Sequence, residues 1–575
     1  GGGLMQFSLR AIEVHSAYAW DFRWITKVLD FAQRNDLNAL VLHRNDVVDE
    51  VVFPGEQYGA PPECCSNVYE RYNATYRTIY RYSPTRRSRT TLRRDYLSRV
   101  VEAAGRRGIS VYLENKELYF PDVLLEMHPS VIKNGHVCPT DPFWWKFLET
   151  KYRELFQDIP GIAGIITSTG TGESRVSISG NRCTCETCRN TTAAGWHRQV
   201  LEVIHGVLSS LGKTLAVRDF VFDRSAHDRL AAGLDALPAD VVAAIKNTPH
   251  DYYPTFPENP LIERMPGRQK WIEFDTMGQY FGWGIGIATM IDDFRRRLAN
   301  ASAKGATGVI LRTDWESLDG HTSFDTPNIL NLYAGAMLSA DPETEAVAVY
   351  ARWLQETDAF AASAEPAATR EAADWIGRIF SRNWEAISKL LFVQQCVFND
   401  CSMFPVGYQQ ALWLAEEKNS LKDWLPGKAD ALAAEPQNLS AILREKEEGY
   451  LLVKELSARL ESPPEILSKK FVADLRDRYR LFELYARGFR ALARLFVLVR
   501  LRKAYGSTEP EEAAIPTEIG QLTALEVLCE VDTVIEEYRE LYAQSDYPPP
   551  VYELLNAERL RCFRSDAAVE LGGLP

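Results

Sequence analysis

"AVRDFVF" (216–222), "AAIKNTPHDYYPTFPENP" (243–260) and "KWIEFDTMGQYFGWG" (270–284) are three short apolar or β-branched runs, each closing on a polar cluster. The clusters are Arg218 with Asp219, Lys246 with Asn247 and then Asp251, and Glu273 with Asp275. A helix-length segment separates the first two runs. In a (β/α)8 barrel the carboxyl ends of the strands and the loops after them gather around one mouth, so such clusters would meet there. The stretch therefore reads as the floor of a catalytic pocket.

The same alternation runs from the start of the chain to about residue 335. Strands are expected at 9–15, 39–43, 109–114, 161–167, 214–222, 241–247, 270–275 and 308–313, with helices between them, for example at 23–36, 97–108 and 290–305. Short β runs alternating with helical segments are the pattern of a parallel sheet built from βα units. Eight units at this spacing predict a closed α/β barrel, a TIM barrel, over 5–335. After "DGHTSFDTPN" (319–328) the alternation stops and long segments with 3.6-residue apolar spacing take over, as in 344–360 and 473–501. An all-helical domain is expected over 336–575, and a homodimer is one use of its apolar stripes. The basic, Tyr-rich stretch 67–96 reads as a loop between the second and third units, with a place at the ligand rim as the alternative.

With 575 residues, 46% hydrophobic content and a formal charge of −13, the chain has the composition of a globular protein of more than one domain. The acidic balance argues against a nucleic-acid binder, which would carry a basic face. The most apolar run, 489–501, is interrupted by Arg494 and Arg500 and reads as an amphipathic helix, not a membrane span. The opening "GGGLMQFSLR" lacks the apolar core of a signal peptide. The expected location is the cytoplasm, or outside the cell if a leader has been removed. "STGTGES" (168–174) has neither a dinucleotide fingerprint nor a P-loop, so no nucleotide cofactor is expected, and none is expected for catalysis.

Two carboxyl groups suffice to cleave a glycosidic bond, one protonating the leaving oxygen and the other activating water or attacking the sugar. Strand ends supply Glu114, Glu117, Glu173, Asp219, Asp251, Glu273, Asp275, Asp314 and Glu316. Any single one of these also serves to pair with a nearby Arg or Lys, so their convergence is the argument. Arg218, Lys246 and Arg312 come from three different strands and would select an anionic sugar unless the neighbouring acids cancel them. Tyr280 and Trp283 could stack on a sugar ring, with core packing as the alternative.

"AVRDFVF", "KNTPHDYYPTFPENP", "IEFDTMGQYFG" and the block from "GHTSFDTPN" to "ETEAVAVYARW" (320–353) resemble, in order and spacing, the corresponding blocks of the xylan-degrading microbial α-glucuronidases. The likeness covers roughly residues 160–360. It implies an exo-acting, inverting glycoside hydrolase that removes a terminal, α-linked uronic acid from an oligosaccharide or polysaccharide fragment. In this resemblance Glu173 is the general acid and Asp251 the general base, while Lys246 and Arg218 contact the sugar; Glu273, Gln279, Arg312, Glu114, Tyr280 and Trp283 are further expected substrate-binding residues. The chain departs from the family at Thr248, where the family has Gly, and at Gln279, where it has a second Glu; a neutral Gln cannot act as a base. A hexosaminidase-like or neutral-sugar glycosidase, a non-catalytic carbohydrate-binding barrel, and a protein organised around its thiols are the other readings.

A second departure is "CTCETC", with Cys183, Cys185 and Cys188 inside six residues, while Cys138 lies after strand three. Four thiolates suit a tetrahedral structural zinc. Disulfides and free thiols are the alternatives, and His136 is a spare ligand. Cys396, Cys401, Cys529 and Cys562 show no ligand spacing and are expected to be buried packing, as are Cys64 and Cys65.

Overall fold

A computed structural model describes residues 7–52, 54, 55, 57, 84–169, 171–218, 224–506 and 516–574. Asp219, Cys64 and Cys65, and the part of the Tyr-rich stretch before Pro84, lie outside the described residues. Eight parallel strands close into a barrel: β1 (Leu9–Val14), β2 (Ala39–His43), β3 (Ser110–Glu117), β4 (Ile162–Thr169), β5 (Thr214–Arg218), β6 (Val242–Lys246), β7 (Lys270–Asp275) and β8 (Gly308–Arg312). They run in sequence order around the ring, and β1 pairs with β8 to shut it.

Register explains what the barrel carries. Leu9, Ala11, Ala39, Val41, Ile166, Ala216, Val242, Ala244, Trp271 and Ile310 form one buried cluster, with Tyr112 packed against it. Successive strand residues point to opposite faces, so the residue two positions on from each strand's last core member shares its inward face. Those residues are Glu13, His43, Glu114, Ser168, Arg218, Lys246, Glu273 and Arg312, one from each strand. Pairing sets neighbours side by side: Glu13 opposite Arg312, His43 opposite Glu114, Lys246 opposite Glu273. The apolar plug includes four alanines, and Trp271 and Tyr112 meet edge to face at 5.4 Å between ring centroids. Above the plug the barrel turns polar in a single step.

The chain divides into two compact units. The first holds residues 1–247, 259–274 and 299–320, which include all eight barrel strands except Asp275 at the end of β7; the second holds 248–258, 275–298 and 321–575. In the second unit the helix Lys469–Tyr505 packs against Pro436–Arg459, Ala524–Gln544 and Ala557–Glu570. Its buried Leu475, Tyr479, Phe482, Tyr485, Phe489, Leu492, Phe496 and Val499 recur every three or four residues, which winds an apolar stripe along the helix. Ser468 caps its start, and Gly506, at φ 73°, ends it in the left-handed conformation that favours glycine. Arg494 pairs with Glu530 at 2.8 Å and Glu447 at 3.2 Å, so the arginines inside the apolar run face partners within the bundle. Among the described residues no helix is long and apolar enough to cross a membrane.

Two local expectations need correction. Residues 84–96 are helix, not loop: Pro84 opens a helix that runs to Arg106, and proline suits the first helical turn because its missing N–H is unpaired there in any case. Of the cysteines expected to be buried, Cys396 is, whereas Cys529 is exposed and Cys401 and Cys562 are intermediate.

Candidate active site

In the first unit the inward polar residues form a connected ring. Arg218 Nε donates to both carboxylate oxygens of Glu273, at 2.8 and 3.0 Å, and lies 3.9 Å from Glu114. Lys116, two residues beyond Glu114 on β3, stands 3.5 Å from Glu114 and 3.9 Å from Glu173. His43 Nε2 contacts Glu114, and its Nδ1 is 3.6 Å from Glu13. Across β1, Arg312 lies 4.0 Å from Glu13 and 3.9 Å from Glu316. His15 stacks on His43 with ring centroids 3.6 Å apart and holds Glu316 at 2.9 Å. Carboxylate oxygens of Glu13, Glu114 and Glu273 all lie within 4.8 Å of one another.

Burial sets the proton affinities. Taking Glu13 out of water raises its pKa well above the carboxylate range, and the nearby Glu114 and Glu273 push the same way. Burial lowers His43 well below the imidazole range, with His15 and Lys116 adding to the effect. Burial lowers His15 too, against the opposing pull of Glu316. Burial also lowers Lys116. The three carboxyls could in principle receive a cation, but Arg218, Lys116 and Arg312 already stand among them, which makes this an ion-pair ring.

Glu173 differs from the rest. Its side chain is 30% exposed, against 0% for Glu114, and it reaches the ring through Lys116. Thr171 donates its hydroxyl to the Glu173 carboxylate at 3.3 Å, while the Glu173 N–H donates back to that hydroxyl at 3.2 Å. The short turn after β4 thereby presents the carboxyl without burying it.

Of the remaining expected residues, Lys246 shares the inward register of the ring, opposite Glu273, and the others fall elsewhere. Lys246 is buried at the end of β6, and its carbonyl accepts from Asn259 at 3.0 Å. Glu117 does not join the ring: its carboxylate takes Lys151 at 2.9 Å, and Lys151 also holds Asp49 at 3.2 Å. Asp314 accepts the backbone N–H groups of His15 and Ser16 at 2.6 and 2.9 Å, so it ties the end of β1 to that of β8.

Asp251, Gln279, Tyr280 and Trp283 belong to the second unit. Asp251 adopts φ 48° in a turn whose Thr248 hydroxyl donates to the Asp251 carbonyl at 2.7 Å, a role a glycine could not supply. Gln279 is buried; its backbone N–H donates to Asp275 at 2.9 Å, which makes Asp275 the cap of its own turn, and its side-chain amide points to Cys401 Sγ at 3.8 Å. Tyr280 packs on Tyr253 at 4.3 Å, and Trp283 Nε1 donates to the Gln279 carbonyl at 3.0 Å. Both aromatics are buried.

Sequence reading passed over Glu13, His15, His43 and Lys116. The signal was the inward parity just described: Glu13 and His43 each follow the last core residue of their strand by two, and Lys116 repeats the step beyond Glu114.

Cys138, Cys183, Cys185 and Cys188 come together in the first unit, with their sulfurs all within 4.8 Å of one another. His136, on a two-residue hairpin strand next to Cys138, is not among them.

No protein-family model matches the chain, and no curated protein does. Among solved structures it is similar to a GH138 enzyme targeting pectin rhamnogalacturonan II, with a TM-score of 0.61 and 12% identity over 94% of this chain and 63% of that one. It thus spans less than two thirds of that structure's length. It is also similar to a GH115 4-O-methyl-α-glucuronidase with specificity for decorated arabinogalactans (TM-score 0.44, 12% identity, 96% and 62% covered) and to an O-GlcNAc hydrolase mutant of Thermobaculum terrenum (0.42, 13%, 98% and 94%). The first likeness shows that this chain shares a glycoside-hydrolase fold, a (β/α)8 barrel with a helical C-terminal region.

Proposed function

We propose that the protein is an exo-acting, inverting glycoside hydrolase that removes a terminal α-linked uronic acid from an oligosaccharide. The observation that carries this reading is the partly exposed Glu173 standing beside a buried ring of acids and cations at the strand ends. Barrel enzymes build their sites at that end. The shared fold with a pectin-targeting enzyme supports a carbohydrate substrate.

In this mechanism Glu173 gives its proton to the glycosidic oxygen as the C–O bond breaks. Asp251 takes a proton from the water that attacks the opposite face of the anomeric carbon, so configuration inverts. The ring acts as a preorganised floor of charge and hydrogen-bonding groups that cannot relax away from a developing oxocarbenium ion. Lys246, Arg218 and Arg312 would meet the sugar carboxylate; a guanidinium offers a bidentate fork and a lysine a point charge.

One observation favours a neutral sugar as the second reading. Arg218 is engaged by Glu273 at 2.8 Å, and Arg312 stands near Glu13 and Glu316, so these two cations are matched inside the protein. Hydrolysis of paired aryl glycosides, uronic against neutral, decides between the two. A uronoside preference that collapses in Arg218→Ala and Lys246→Ala supports the first, and equal losses on both substrates support the second. Glu173→Gln should lower kcat by about 10²- to 10⁴-fold, the usual contribution of a general acid. Undiminished turnover would remove Glu173 from the chemistry, and no turnover of any glycoside by the unaltered protein would leave a carbohydrate-binding barrel.

A further inference from the structure

The four converging cysteines lie outside the proposed sugar site and are used by nothing described above. Cys138 Sγ is 3.8 Å from Cys185 Sγ and 3.6 Å from Cys188 Sγ. A disulfide needs sulfurs at about 2.05 Å. By contrast, a tetrahedral ZnS4 site with Zn–S bonds of about 2.3 Å has S···S edges of about 3.8 Å. The spacing is that of ligands around one ion.

The groups around the sulfurs agree. The Asn181 side-chain amide donates to Cys188 Sγ at 3.5 Å, and the Cys188 backbone N–H donates to Cys185 Sγ at 3.5 Å. The Thr140 hydroxyl lies 3.3 Å from Cys138 Sγ and 3.1 Å from Cys188 Sγ. Donors aimed at sulfur suit thiolates, whose remaining charge after metal binding is met by such outer partners. The backbone is held as well: Trp144 Nε1 donates to the Cys138 carbonyl and Trp196 Nε1 to the Pro139 carbonyl, both at 2.8 Å and both buried. Cys138, Cys183 and Cys188 are themselves buried, so the centre is shielded from water without a large apolar cluster around it.

We propose that Cys138, Cys183, Cys185 and Cys188 bind a single structural zinc ion that clips the loop after β4 to the loop after β3. With four sulfur ligands no coordination position is left for water or substrate, which makes the site structural and not catalytic. Each thiol that binds loses its proton to solvent, and zinc takes its place. The ion joins chain positions that are far apart in sequence: Cys138 follows β3, while the other three follow Glu173 on the β4 loop. The turn that carries Glu173 runs from β4 to the short helix Glu186–Asn190, which is capped by Cys185 and contains Cys188, so the zinc would limit how far that loop swings. This last consequence rests on Glu173 as general acid; the metal assignment does not.

The test starts from the full chain prepared without chelators. Elemental analysis should return one zinc per chain, and zinc-edge X-ray absorption should show a first shell of sulfur alone at about 2.3 Å. A mercurial that titrates thiols should release that zinc in step with modification of four sulfurs, a readout that does not depend on any variant folding. Cys185→Ser and Cys188→Ser should lose stoichiometric zinc and expose 171–192 to proteolysis. Absence of metal, iron in place of zinc, oxygen or nitrogen in the first shell, or a mass showing disulfides after alkylation without reductant would each overturn the proposal. If zinc is present but its removal leaves glycoside turnover unchanged, the metal site stands and its effect on the Glu173 loop falls, while Glu173→Gln tests the acid itself; if turnover drops in kcat with little change in KM, both stand.

Discussion

Replacing Glu273 with Gln should destabilise the first unit more than any other single change to the ring. Glu273 and Arg218 have side-chain exposures of 1% and 5%, so solvent screens little of their attraction. The substitution keeps shape and removes charge, which leaves the guanidinium buried with Glu114 3.9 Å away. Breaking a buried pair from one side costs about 3–5 kcal/mol. Two effects reduce this. Glu114 stays beside the guanidinium, and the repulsion that Glu273 exerts on Glu13 disappears, which places the loss at the low end of that range. A loss of about 3 kcal/mol follows. At about 2.1 cal/mol/K per residue, a unit of this size should then melt roughly 5 °C lower. Urea unfolding followed by tryptophan fluorescence is a suitable assay, because Trp271 sits two residues from Glu273 on the same inward face of β7. A double-mutant cycle with Arg218→Met isolates the pair, and its coupling should exceed about 1.5 kcal/mol. A Glu273→Gln penalty below about 1 kcal/mol with additive single changes would refute the ion-pair reasoning.

Glu13→Gln mimics the neutral carboxyl that burial enforces. A raised folded pKa means a stabilising contribution complete below about pH 4.3 and lost as pH rises towards the folded value, so the variant should match the parent in acid and gain on it above neutrality, read as denaturation midpoints at several pH values. Asp49, pushed up to about 7 by burial, titrates in the same sense between about pH 4 and 7; Asp49→Asn should flatten the stability slope in that window. Gly164→Ala would set a Cβ 2.3 Å from the Thr214 carbonyl oxygen across the β4–β5 pair, and overpacking of this kind should cost about 1–3 kcal/mol in the same unfolding assay.

The barrel was legible because both of its periods are local. Alternation along each strand and the spacing of βα units survive in a single sequence, and all eight strands occur where the pattern places them. Five ring members, Glu114, Arg218, Lys246, Glu273 and Arg312, stood out as charges closing an apolar run. Glu13 and His43 did not, although they hold the same register, because each sits at the end of a run so apolar that one polar residue reads as its boundary. Lys116 lay past the expected end of β3. Asp275 and Asp314 show the opposite failure: strand-end acids by sequence, they spend their oxygens on backbone N–H groups. Which way a carboxylate turns depends on the donors that the fold brings to it, and those lie far off in the chain, as Asp314 and His15 do. Helix 84–106 was hidden for another reason. Its first turns are Arg, Ser and Thr, with no apolar stripe to give a period.

The ring itself is hard to explain as architecture. Eight inward positions above an apolar plug could hold leucines, and well-packed apolar replacements of buried ion pairs are often neutral or stabilising. This chain instead places carboxyls, guanidiniums, ammoniums and imidazoles there, and one consequence is a glutamate forced towards its neutral form and a histidine held from its charged form. Such displaced proton affinities, set by burial and by named neighbours at the strand ends of a barrel, mark sites built for chemistry more often than for stability. Lys116 connects that buried balance to the surface. Standing between Glu114 and Glu173, it couples the partly exposed carboxyl to the charge of the whole ring, so a ligand that alters the ring also alters the carboxyl we propose as general acid.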